Sequence, residues 1–203
     1  MSAESLRIIN KAISRVNGNT IATVDDGTPE AIVADLNYED EVESELCKRS
    51  WKFARKAALL VADADDPIDT DYDHQLTFPA NVLKLRTVIK DGKTIDYQID
   101  SDTAGDKFIL ADEDEDCYAI FTFRAAEDDW PADFEEAFVK RLMAHFLRRE
   151  ERYADAERID AAADDGFRLA AINHAQEEPG KDPSIGNYSL LNARRLGYAP
   201  RRQ

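Results

Sequence analysis

Cys117-Tyr118-Ala119-Ile120-Phe121-Thr122-Phe123-Arg124, followed at residues 130–138 by Trp130-Pro131-Ala132-Asp133-Phe134-Glu135-Glu136-Ala137-Phe138, is the stretch that decides the fold class. The first part reads as a strand, rich in aromatic and β-branched side chains. In the second, Trp130-Pro131 opens a segment whose Phe134, Phe138, Leu142 and Phe146 recur at steps of four, which puts them on one face of a helix. Arg148, Arg149 and Arg152 near its end complement the helix dipole. A sheet therefore gives way to helices near Trp130.

Downstream, a further helix is expected over about 154–176, with Ile159, Ala163, Phe167, Ala170 and His174 on one face. Its many alanines allow a neighbour to approach closely. The Pro- and Gly-rich block 179–187 ends the folded part. Upstream, Asp91-Gly92 between Val82–Lys90 and Lys93–Asp100 predicts a tight hairpin, because both central residues must accept positive φ. Phe108–Ala111 is another strand, joined to 117–124 by the acidic turn Asp112–Asp116, and Ala57–Val61 is a short apolar run. The middle of the chain thus predicts one small antiparallel sheet.

Two helices precede it. Residues 3–17 place Leu6, Ile9, Ile13 and Val16 on one face, and Asn17-Gly18-Asn19 stops the helix. Thr28 caps a second helix, with Pro29 in its first turn, running to about Lys48. Its expected core face is Ile32, Leu36, Val42 and Leu46, with Tyr38 at the margin; Asp35, Glu39, Glu41, Glu43 and Glu45 form an acidic outer face. The expected fold is α+β: a four-helix bundle, two helices from each end of the chain, with an inserted small antiparallel β-sheet domain. Residues 1–55 and 126–178 make the bundle domain, 56–125 the β domain, and 179–203 an extended C-terminal tail. Trp51, Phe53 and Trp130 are the expected anchors between the two modules, each a large apolar surface at a junction.

The 203 residues include 42 Asp or Glu and 26 Lys or Arg, a formal net charge of −16. That balance disfavours a phosphate-neutralising nucleic-acid domain and a polybasic membrane-surface module. No apolar run approaches 18 residues, and Met1 to Asn10 lacks the pattern of a secretory leader, so neither a membrane span nor export is expected. Cys47 and Cys117 alone make no disulfide framework, which favours a reducing compartment. The charge is also uneven. Residues 181–203 carry five Lys or Arg against Asp182, a charge of +4, which leaves −20 on the first 180 residues. Tyr188, Leu190, Leu191, Leu196 and Tyr198 lie among those cations, a composition suited to docking on an acidic surface such as a neighbouring copy's.

Chemistry is sparse. There is no Gly-rich phosphate loop and no nucleophile elbow. His74, His145 and His174 are far apart, and His145 sits between Ala144 and Phe146 as a packed or flanking residue would. Three acidic clusters stand out: Asp63, Asp65 and Asp66; Asp112 to Asp116; and Glu127, Asp128 and Asp129. None fits a calcium loop: counted from Asp112, the sixth position is Cys117 and the twelfth Phe123, where Gly and Glu are needed. No catalytic, cofactor or metal residue is assigned.

Several stretches resemble one family. They are Ile9-Asn10-Lys11-Ala12-Ile13, Ser50-Trp51-Lys52-Phe53-Ala54-Arg55-Lys56-Ala57, Gln75 to Leu85 around Phe78-Pro79-Ala80-Asn81, Trp130 to Phe138 leading into Arg141-Leu142, and Asn187 to Arg195. In order and extent they resemble the tail tubular protein A group of bacteriophage head-to-tail adaptors, the connectors of short-tailed phages. The departures are Ser50, Lys52 and Asn81, where that family often has Pro, Asn and Asp. The resemblance implies a structural virion protein without enzymatic activity or cofactor. It implies a homo-oligomeric ring, commonly of twelve copies, at the head–tail interface between portal protein and tail nozzle protein. Genomic DNA would pass through that ring without sequence-specific binding, and no membrane would be involved. Assembly would take place in the host cytoplasm. Tyr188, Leu190, Leu191, Arg194, Arg195 and Tyr198 are the expected contacts to portal or neighbouring subunit. Two alternatives stay open: a head-completion connector of a long-tailed phage or gene transfer particle, and, in another class, a metal-dependent hydrolase using the acidic clusters.

Overall fold

A computed structural model describes residues 2–63, 67, 71–102, 104–113 and 115–176. Ser2 opens α1 (Ala3–Val16): its Oγ accepts a hydrogen bond from the Ser5 N–H at 3.0 Å. Thr28 does the same for α2 (Pro29–Lys48), accepting from the Ala31 N–H at 3.2 Å. These side chains satisfy donors that the first helical turn leaves unpaired. Seven strands follow: β1 (Arg55–Leu59), β2 (His74–Thr77), β3 (Val82–Lys90), β4 (Lys93–Thr94), β5 (Gln98–Ser101), β6 (Lys107–Ala111) and β7 (Cys117–Phe123). A short 3-10 turn, Glu127–Asp129, leads into α3 (Ala132–Arg149) and α4 (Tyr153–Gln176).

The fold is α+β, with four helices and two small antiparallel sheets among the described residues. The expectation of one sheet is corrected. β1-β7-β3-β4 form the first sheet and β2-β6-β5 the second. The hairpin turn is where its dipeptide puts it: Asp91 (φ 51°) and Gly92 (φ 75°) both sit in the left-handed region. The second arm, expected as one strand over 93–100, is broken. Lys93 and Thr94 pair with β3, whereas Gln98 to Ser101 pair with β6 in the other sheet. Ile95 and Tyr97 do not alternate along a ladder; they turn inward onto a sheet core of Leu76, Val88, Ile109 and Phe121. Burying those side chains outweighs continuing a two-residue ladder.

The helical core is separate. α1, α2 and α4 each pack on α3. Ile9 and Ile13 of α1, Tyr38 and Leu46 of α2, Phe134 and Phe138 of α3, and Phe167 of α4 are all buried there. α4 lies so close to α3 that a Cβ built on Gly166 would stand 3.0 Å from the Ala137 Cβ. Phe123 at the end of β7 touches both cores.

The core face of α2 also differs from expectation. Ile32 and Leu36 are 51% and 68% exposed, and the buried stripe is Ala31, Ala34, Tyr38, Val42, Glu45 and Leu46. Small side chains at 31 and 34 let the helix lie close to its neighbours. Tyr38, not Leu36, fills the space beside Phe138, with its ring edge-on at 5.4 Å. Glu45, expected on the outer acidic face, is fully buried. Among the described residues no helix is long and apolar enough to cross a membrane.

Candidate assembly surfaces

The three expected anchors converge around one aromatic cluster. Trp51, just past α2, packs against Phe53 (5.8 Å), Phe134 (4.9 Å) and Phe167 (6.5 Å), with His174 at 6.3 Å. Its indole N–H donates to the Glu45 carbonyl at 3.0 Å, so burial leaves no polar orphan there. Phe53 lies 5.0 Å from Phe134, edge to face. Trp130 meets Phe134 and Phe138 at 5.0 and 5.1 Å and donates to the Ala125 carbonyl at 3.3 Å. Among the sheet's residues, Leu83 and Phe123 reach the helical core in which these rings sit. The six tail positions, Tyr188, Leu190, Leu191, Arg194, Arg195 and Tyr198, lie outside the described residues, as do Asp65, Asp66 and Asp114 of the acidic clusters.

Two polar nodes brace this architecture. At the first, Arg86 from β3 donates through Nη2 to the carbonyls of Leu46, Cys47 and Arg49, at 3.2, 3.1 and 2.6 Å. Leu46 and Cys47 belong to the last turn of α2, whose carbonyls lack helical partners, Arg49 is its C-cap, and a cation there complements the dipole. The Arg86 Nε donates to Thr122 Oγ1 at 2.8 Å, so the same side chain fixes helix to sheet. At the second, Glu127 accepts from the Tyr38 hydroxyl at 3.1 Å and from Arg124 at 2.7 Å. Burial, together with the Glu127 charge, pushes the Tyr38 hydroxyl well above its ordinary range. Burial alone would raise the Glu127 carboxyl, but the Arg124 hydrogen bond and charge, with the backbone and Tyr38 hydrogen bonds, together outweigh it and hold the carboxyl below its usual range.

The least anticipated feature is a charged seam through the helical layer. Arg141 of α3 reaches Glu45 of α2 at 3.1 Å and Asp160 and Asp164 of α4. Arg148 joins Asp160, and Lys48 holds Glu45 at 2.7 Å. Glu41 pairs with His145 Nε2 at 2.9 Å, and that contact lowers its carboxyl. His145 is therefore a flanking partner to a carboxylate. A second seam joins α1 to α3: Arg7 and Lys11 bracket Glu135 at 2.8 and 2.9 Å, and Arg15 meets Glu136 at 2.5 Å. Hydrogen bonding to Arg7 leads the effects that bring Glu135 down to about 2.

The outer surface carries unlike apolar faces. On α2, Ile32 and Leu36 stand one turn apart among exposed Asp35, Glu39, Asp40 and Glu43. On α4, Leu169 and Ile172 are 56% and 48% exposed, a few residues before Gln176. Leu59 of β1 and Tyr118 of β7, paired across the first sheet, are exposed as well. Of the acidic clusters, Glu113 pairs with Lys90, and among the described residues no three His, Cys, Asp or Glu converge as metal ligands would. Compared with family models and with curated protein sequences, the chain gives no match to either.

Proposed function

We propose that this chain is a structural virion protein, a head-to-tail adaptor whose copies form a ring between portal and tail nozzle and so enclose part of the DNA ejection channel. The observation that carries the reading is the pair of unlike exposed faces. Large apolar side chains on α2 (Ile32, Leu36) and on α4 (Leu169, Ile172) stand in solvent on different helices, the α2 pair among exposed carboxylates. Copies that meet through two different faces associate head to tail, and that arrangement closes into a ring when the rotation permits. The whole-chain resemblance to the adaptor family points the same way. In this reading 1–55 and 126–178 form a four-helix bundle domain, 56–125 is the inserted β domain, and 179–203 is an extended tail that reaches a neighbour or the portal. The acidic body gives passing DNA a wall that repels it, so the duplex slides without sticking. Electron microscopy of the purified protein mixed with the portal from the same phage tests this. Closed rings stacked on the portal are the expected result. A stable monomer that never binds the portal overturns it.

A further inference from the structure

We infer that the acidic, apolar stripe on the outside of α2 is the receptor for the C-terminal segment of a neighbouring copy, residues 188–202. The inference rests on the ring reading and names the contact that joins one subunit to the next. Ile32, Asp35, Leu36, Glu39, Asp40 and Glu43 recur at steps of three and four, so they form one continuous strip along the helix. All six are exposed. Glu39 is held by Arg124 at 3.0 Å, whereas Asp35, Asp40 and Glu43 make no ion pair with the described residues. Two bare aliphatic side chains beside three such carboxylates call for a partner that is both apolar and cationic.

The chain contains such a segment. Tyr188, Leu190 and Leu191 are followed by Arg194 and Arg195, then Leu196, Tyr198, Arg201 and Arg202, with no acidic residue among them. Residues 188–202 carry +4 and face a strip whose charge is wholly negative. Reach is ample. The chain leaves α4 at Gln176, and the 14 residues to Leu190 span up to about 45 Å. Asn173 of α4 contacts Asp133 at the start of α3, and Glu30 of α2 pairs with Arg149 at its end. The two regions therefore lie at opposite ends of α3, about 27 Å apart along its axis. Electrostatics selects the neighbouring copy over the same one. A tail laid on its own α2 leaves two copies of −16 that only repel one another. A tail laid on the next subunit supplies the attraction where the copies meet.

The test uses the full-length protein with the photo-crosslinking residue p-benzoylphenylalanine in place of Leu36, prepared at natural abundance and uniformly 15N-labelled. The two are mixed, assembled with portal, irradiated, digested and read by mass spectrometry. Mixed-isotope links from position 36 to peptides containing residues 188–198 are expected. Asp40→Lys with Glu43→Lys should cut their yield about tenfold, and Arg194→Glu with Arg195→Glu in the same chains should restore it. Unchanged far-ultraviolet circular dichroism keeps folding out of the comparison. Links confined to one isotope, links only to other segments, absence of links, or indifference to the charge swap each overturn the inference. Closed rings without the link remove the docking contact and leave the ring reading standing. Mixed-isotope links in open chains that never close do the reverse.

Discussion

Arg141 meets carboxylates on two other helices at once, and Glu45 is the one with no access to water. Removing the guanidinium leaves Glu45 buried beside Lys48 and Arg49 alone. Arg141→Met is expected to cost about 3 kcal/mol in urea unfolding, and Arg141→Met with Glu45→Leu distinctly less, because the double replacement removes the stranded charge as well. A double variant no more stable than the single one would contradict this. The α1–α3 seam makes a separate claim about pH. Hydrogen bonding to Arg7, then to Lys11, depresses Glu135 from 4.5 to about 2, and Glu136 is lowered chiefly by Arg15. A carboxyl depressed in the folded state binds its proton more readily when unfolded. Its stabilisation is therefore full above about pH 4.5 and disappears as pH falls toward 2. Stability should decline through that window, and Glu135→Gln should lower stability at pH 7 by about 1 kcal/mol while flattening the decline. A Glu135→Gln protein with an unaltered acid limb in thermal unfolding would show that the seam is not its source.

At the scale of elements, close approach and capping decide which helices stay docked. A side chain at position 166 points at the Ala137 Cβ, so Gly166→Leu should wedge α4 from α3 and cost about 2–3 kcal/mol, read from the urea midpoint. An unchanged midpoint would mean that α4 can shift freely on α3. The same elements explain what a sequence reveals. α3 is plain because Phe134, Phe138, Leu142 and Phe146 carry the 3.6-residue period without interruption. α2 gives the right ends and the right face in its second half, where Val42 and Leu46 are buried, but the wrong residues in its first half. Ile32 and Leu36 outrank Ala31 and Ala34 in hydrophobicity, yet packing selects the small pair together with Tyr38. The broken second arm of the hairpin is hidden for a related reason. Ile95, Tyr97 and Ile99 alternate as a strand does, and only tertiary packing turns two of them inward and leaves Ile99 exposed. Buried Glu45 and the Arg86 cap carry no local signal, since each depends on partners distant in the chain.

For the whole molecule the deciding quantity is the distribution of charge. Trp51, Phe53 and Trp130 stand out in sequence as large aromatics and meet in the helical core, but the face that Ile32 and Leu36 present to solvent emerges only once the rotation of α2 is known. That face is acidic, and each copy carries −16. Long-range repulsion between copies should therefore oppose assembly at low ionic strength, where the screening length is about 30 Å at 0.01 M, and relax near 0.15 M, where it is about 8 Å. The proposed tail contact should respond more weakly. Pairs formed at short range beside apolar groups are screened less, so salt that hides one body from the next should leave much of such a contact in place. The fraction sedimenting as ring should thus rise between about 0.01 and 0.3 M NaCl at fixed protein concentration. Deleting residues 185–203 removes a charge of +4, returning each copy to −20, and also removes the apolar grip. The truncated chain should need more salt to assemble and should reach a lower plateau, with its helical content unchanged. Assembly that falls steadily with salt in the full-length protein would place the governing term in the charge pairs themselves and overturn the repulsion argument. Assembly that is identical with and without the tail would remove the tail from the joint.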